Sequence, residues 1–340
     1  MAENDTLIGH QVGRYQIQEY LREDRLGRVY LALELPGKKV VDVKVLDPSF
    51  AQNHEMFGRF GREMLATATI NHPNSVQMLD FGDHRGLFHY IVLEHVDAIT
   101  VEEELLKNKR LGWERVVRIA HQVAGALKAA HEEKIIHRAL CPGNLLLLQN
   151  ADGDFVKIRD FGLSRLVDSE DPNSPNLTAA GARVGSAEYM APEYINAAIV
   201  HPRGDLYALG ICMYEMLTGA PPFTGSTVDV IDKQINLDAP RVSASVKVPP
   251  WLDALVASLL SKDMDGRPKN AGEVVTALEK GLGAPIELPS VTEPSAKPVT
   301  AAAPSASGLS MTHVAIGAGF VVFALVCVAV ALVVGLMFLG

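Results

Sequence analysis

The apolar residues of this chain change their period part-way along it. Up to about residue 94 they fall in short β-type runs: Tyr15-Gln16-Ile17 leading to Leu21, then 28–33, 39–46, 76–82 and 88–94. One helical stretch, about Asn53 to Thr69, interrupts them and is closed by Asn71-His72-Pro73, because the residue before a proline is pushed out of helical geometry. Farther on the period is that of a helix. Val116, Val117, Ile119, Ala120, Val123, Ala124 and Leu127 share one side of a helix predicted over 113–133, and 206–217 and 252–260 read as further apolar helices. Strands gathered first and helices after them predict an α+β chain.

Charge and cysteines narrow the function. The formal net charge is −9 and no long basic run is present. Nucleic acid is therefore not an expected partner, since phosphate contacts need clustered Lys and Arg. Cys141, Cys212 and Cys327 lie far apart and fit neither a CxxC metal site nor a disulfide framework. The first residues, Met1-Ala2-Glu3-Asn4-Asp5, are acidic and lack the apolar core of a signal peptide.

From Val314 to Gly340 no charged residue appears, and the run exceeds the roughly 20 residues that cross a bilayer core. A soluble helix of that length would show a polar face. The expectation is a transmembrane helix over 313–340, with the preceding domain on the cytoplasmic side because no export signal precedes it. Residues 284–312 carry Pro285, Pro289, Pro294, Pro298 and Pro304 among Ala, Ser and Thr. Such a segment buries too little apolar surface to fold and reads as a linker. Residues 1–11 read as a tail and 12–283 as one folded unit.

That unit carries a series of spaced strings. They are Val41-Asp42-Val43-Lys44, Glu63 within Phe60-Gly61-Arg62-Glu63, Tyr90 to Val96, and His137-Arg138-Ala139-Leu140-Cys141-Pro142-Gly143-Asn144. Farther on come Asp160-Phe161-Gly162, Gly185 to Glu193, Asp205 to Gly210 and Asp263 to Pro268. In this order they resemble the motifs of the protein kinase family, in its bacterial Ser/Thr branch. The resemblance implies a bilobal fold, with a β-rich N-lobe over about 12–95 and a helical C-lobe over 96–283. It implies a nucleotide pocket at Gly27, Val29, Lys44, Glu63, Glu94 and Val96, and magnesium ligands at Asn144 and Asp160.

The departures carry the functional expectation. Ala139 stands where the family's catalytic-loop Asp accepts the proton of the substrate hydroxyl, and Cys141 stands at the catalytic-loop Lys. Aligned on Val29, the Gly-rich loop offers Arg22, Asp24 and Gly27, so two of three glycines are replaced. Asp42 replaces the small residue over the adenine ring. Strand alternation puts it on the same face as Lys44, its expected partner, and a desolvated carboxylate under a purine is unfavourable. His84, His89, His95 and His121 show no metal spacing and read as ordinary histidines. The expected function is a membrane-anchored pseudokinase that binds Mg-ATP weakly or not at all. It would act as a scaffold or allosteric partner of other signalling proteins or of an active kinase. The alternative is a weakly active Ser/Thr kinase that keeps Lys44, Glu63, Asn144 and Asp160.

Overall fold

The computed structural model describes residues 7–24, 27–47, 68–150, 153–161 and 187–286. Glu63 with nearly all of its expected helix, Gly162, the linker from residue 287 onward and the apolar run 314–340 lie outside these residues. Among the described residues no helix is long and apolar enough to cross a membrane.

The chain forms two lobes. The first is an antiparallel sheet of β1 (Gln11–Val12), β2 (Tyr15–Asp24), β3 (Gly27–Glu34), β4 (Lys39–Leu46), β5 (Met78–His84) and β6 (Phe88–Glu94), in the order β1-β2-β3-β4-β6-β5. Val41 and Val43 of β4 pack with Val12, Tyr15, Ile17, Tyr30, Ala32, Tyr90 and Val92 in the core of this lobe. The period of 2 then sends Asp42 and Lys44, both buried, to the opposite face. Gly27 opens β3 with φ +147°, and a Cβ there would lie 2.0 Å from the Val45 carbonyl oxygen of β4. This glycine is required by the strand crossing itself.

The second lobe holds α1 (Val101–Asn108), α2 (Trp113–Glu132), α3 (Pro192–Ala197), α4 (Pro202–Thr218), α5 (Thr227–Asn236), α6 (Pro250–Leu259) and α7 (Ala271–Leu282). A small sheet joins it, with β7 (Ile99–Thr100), β8 (Leu145–Asn150) and β9 (Gly153–Ile158) in the order β7-β8-β9. Thr100 and Glu103 form a reciprocal cap on α1. Helix α4 is buried almost all round, from Asp205 to Leu217 with the exception of Glu215. It comes so close to α6 that a Cβ on Gly210 would sit 2.8 Å from the Cβ of Leu259. The C-lobe core is one cluster built around α2 and α4. Arg267 is fully buried and grips Glu193 with two N–H donors at 2.8 and 2.9 Å, the planar fork geometry that suits a carboxylate.

Candidate functional site

The loop from His137 to Asn144 is shaped by groups that do no chemistry. Asp205, near the start of α4, accepts the backbone N–H of His137 and of Arg138, each at 2.8 Å, and lies 2.8 Å from His131 Nε2. Burial works against the Asp205 charge, yet the His131 hydrogen bond, with His131, His137 and the backbone donors, holds the carboxyl below its usual range. Arg138 takes a left-handed φ of +64° within this brace. Burial drives the His137 pKa down, so its imidazole is neutral. Nε2 then donates to the Arg159 carbonyl at 3.0 Å while Nδ1 accepts from the Ala139 N–H at 3.2 Å. Phe161 packs edge-on against the same ring, 4.8 Å between centroids. The loop frame is thus complete, and it holds a methyl at position 139.

Above the loop, the face of β4 that carries Asp42 and Lys44 is filled by charge. The Lys44 ammonium, fully buried, sits 2.8 Å from Asp24 Oδ2 and donates to Asp160 Oδ1 at 2.6 Å. Asp24 comes from the end of β2, at one of the replaced glycines. Asp160 follows β9 with φ +65°. Burial alone would raise the Asp160 pKa, but Lys44, then Arg159 and Arg22, outweigh it and hold the carboxyl below its usual range. Asp42 does not pair with Lys44 as expected. His95 Nδ1 meets Asp42 Oδ1 at 2.7 Å, and Arg22 Nη1 lies 3.7 Å from Oδ2. The reason is distance: same-face neighbours along a strand are about 6.6 Å apart, whereas adjacent strands are about 4.8 Å apart. His95 follows β6, whose Leu93 lies directly opposite Asp42. Asp42 therefore reaches sideways, and Lys44 reaches to the other lobe. His95 is correspondingly no ordinary histidine; its hydrogen bond to Asp42 outweighs burial and raises its pKa.

The metal ligands implied by the resemblance are also engaged. Asn144 Nδ2 donates to the Ala139 carbonyl at 2.9 Å, and Oδ1 accepts from Arg159 Nε at 3.3 Å. Arg159 Nη2 donates to the Gly143 carbonyl at 2.6 Å. Burial, and next the charge of Arg22, lower the Arg159 pKa from its ordinary value. Arg159 was not singled out from the sequence, although it stands directly before Asp160. Alternation along β9 says nothing about its guanidinium, because Asp160 breaks the strand geometry there. Cys141 is half-buried, and burial pushes its thiol up to about 11, so it stays protonated and inert at neutral pH.

Among the remaining pocket residues, Val29 is fully buried and Val96 half-buried. The Glu94 carboxylate accepts from the Gln77 N–H at 2.8 Å and from Lys157 Nζ at 2.5 Å. The site thus sets Arg22, Lys44 and Arg159 against Asp24, Asp42 and Asp160, with His95 beside them. The residues that the resemblance assigns to phosphate and metal contact other side chains of the protein, Lys44 with Asp24 and Asp160, and Asn144 with Arg159.

Comparison with known proteins identifies the frame. Residues 15–277 match the protein kinase domain family. The chain is 34% identical over 275 residues to the serine/threonine-protein kinase pkn3 of Myxococcus xanthus, a match covering 79% of this chain and 50% of that protein. It is 35% identical over 270 residues to the serine/threonine-protein kinase PknB of Mycolicibacterium smegmatis, covering 78% of this chain and 42% of that one. The fold is similar to the crystal structure of the Mycobacterium tuberculosis PknI kinase domain, with TM-score 0.62, 26% identity, and coverage of 80% of this chain and 98% of that one. The matched region is thus half or less of either curated relative.

Proposed function

The chain belongs to the bacterial serine/threonine protein kinase family, with its bilobal fold, and we propose that it is a catalytically impaired member, a pseudokinase that serves as a signalling scaffold or allosteric partner. The observation that carries this reading is the Asp24–Lys44–Asp160 bridge lying above a catalytic loop that holds Ala139 in place of a base. A nucleotide triphosphate would have to break that bridge and displace Asp24 before its phosphates met Lys44. A substrate hydroxyl would then find a methyl where its proton should go. The partners on this reading are other signalling proteins or an active kinase, recruited by lobe surfaces rather than by turnover.

The competing reading, a weakly active Ser/Thr kinase, rests on the intact loop brace at Asp205 and on the retained Lys44–Asp160 contact. General-base help contributes typically 10²–10⁴-fold, so losing it alone leaves slow turnover open. A phosphotransfer assay with radiolabelled ATP on the wild type and on Ala139→Asp separates the two readings. We expect incorporation from neither protein, because restoring the base leaves the charge network in place. Robust incorporation by the wild type would sink the pseudokinase reading, and robust autophosphorylation by Ala139→Asp would refute the expectation that the charge network alone blocks turnover.

We also place the protein at a membrane, held by 313–340, as the uncharged run 314–340 supports, and propose that the kinase-like domain lies on the cytoplasmic side. The chain should resist alkaline extraction from membranes, and a chain ending at residue 312 should be released. Wild-type protein in the soluble fraction would rule the anchor out.

A further inference from the structure

In this family the divalent metal at the phosphate end is held by the carboxylate corresponding to Asp160 and the amide oxygen corresponding to Asn144. Here a cation of the chain itself reaches that amide. Arg159 is tied to the loop at three points. Its backbone N–H donates to the Asn144 carbonyl at 3.1 Å, its Nη2 to the Gly143 carbonyl at 2.6 Å, and its Nε to Asn144 Oδ1 at 3.3 Å. The amide is turned toward Arg159 from its other end, since Nδ2 is spent on the Ala139 carbonyl at 2.9 Å. Asp160 Oδ1 is meanwhile taken by Lys44 at 2.6 Å. A divalent ion would have to take Oδ1 of Asn144 from a guanidinium and the Asp160 carboxylate from an ammonium. It would then sit against both positive charges in a partly desolvated cleft, where like charges a few Å apart repel strongly.

We propose that the Arg159 guanidinium is the resident cation of this site and closes the Asn144–Asp160 pair to divalent metal. The role suits a guanidinium. It stays charged when buried, and its planar fork serves a carbonyl and an amide oxygen at once. The fixed cation also does part of what a metal would do for the fold, because it helps Lys44 keep the Asp160 carboxylate ionised without a ligand. The inference concerns the same cleft as the proposed function but does not depend on it. A pseudokinase that bound metal would contradict this inference alone, and a protein that bound nucleotide without metal would contradict only the other.

The test uses manganese alone, with no nucleotide, on the full chain. Free Mn²⁺ is read by its electron paramagnetic resonance signal and the bound state by the shift of the melting midpoint. Wild type should neither deplete the free signal nor shift its midpoint at millimolar Mn²⁺. Arg159→Met keeps the length of the stem and removes the charge. It should bind one Mn²⁺ at least about tenfold more tightly than wild type, and Arg159→Met with Asn144→Ala should lose that binding again. One Mn²⁺ bound by wild type and abolished by Asn144→Ala would overturn the proposal, and this arm needs no Arg159 variant to fold. A cooperatively melting Arg159→Met that binds no more Mn²⁺ than wild type would overturn it as well.

Discussion

Replacing Lys44 by methionine tests whether this lysine is part of the fold or a ligand in waiting. Its side chain is 0% exposed and lies between Asp24 at 2.8 Å and Asp160 at 2.6 Å. Methionine matches most of the stem, so the substitution chiefly deletes the charge. Removing one partner of a buried ion pair costs about 3–5 kcal/mol, because the other is left desolvated and uncompensated. Two features push the value toward the lower end. Asp24 is 26% exposed and can rehydrate, and Arg159 and Arg22 still face Asp160. A loss of about 3 kcal/mol is expected, which for a domain of this size lowers the midpoint by roughly 6–12 °C. Calorimetry or circular dichroism should read it. The two tryptophans, Trp113 and Trp251, pack together in the helical lobe, so their fluorescence would miss events confined to the sheet lobe. The partner variant Asp24→Asn should destabilise wild type yet partly rescue Lys44→Met, with a coupling of about 1–3 kcal/mol. A Lys44→Met protein within about 0.5 kcal/mol of wild type and uncoupled to Asp24→Asn would refute the reasoning and return Lys44 to the role of a free phosphate ligand.

Two other perturbations follow from the same geometry. His95 faces Asp42 from β4, Arg22 from β2 and Asp97 from the following loop, and its pKa is raised. A raised folded-state value contributes stability that is complete below the unfolded value of about 6.5 and is lost as pH rises through the folded value. The stability gap between wild type and His95→Gln should therefore be widest near pH 5–6 and shrink toward pH 9; urea titrations showing a gap that widens with pH would contradict this. Arg267 donates to Glu193 and to the carbonyls of Ser261, Arg203 and Lys262 from a fully buried side chain. Arg267→Ala should cost about 3–5 kcal/mol, and a melt showing less than about 1 kcal/mol would mean that the pair acts like an exposed one.

The strands of the first lobe were legible as short apolar β-type runs, with burial that alternates in β2 and is continuous in the central β4 and β6, and the long helices because their apolar stripes run for several turns. The β8–β9 hairpin was not. Leu145 to Leu148 is a continuous apolar run, and periodicity cannot tell such a run from a short buried helix. Helix α3, with Pro192 to Ala197, is too short to carry a period at all. The loop brace was legible through Asp205, whose partners are set by the family frame. The choice of ion-pair partners was not, because it depends on which strands are neighbours and how the lobes meet. Asp42 and Lys44 share a face, yet a short side chain reaches across to β6 and its hinge while a long one spans the cleft. Arg159 was written in the sequence beside Asp160, but only the left-handed turn at Asp160, the carbonyl of Gly143 and the amide oxygen of Asn144 give it a role.

The account stands on a nucleotide site closed by its own charges, and the most direct test is the melting midpoint of the chain with and without saturating Mg-ATP, for wild type and for Asp42→Ala. A ligand that binds only the folded state must raise the midpoint according to its concentration over Kd. The account predicts no rise for wild type, and none for Asp42→Ala either, because the Asp24–Lys44–Asp160 bridge and the Arg159 contacts stay in place. A clear magnesium-dependent rise in wild type would contradict it and return the chain to the nucleotide-binding kinases.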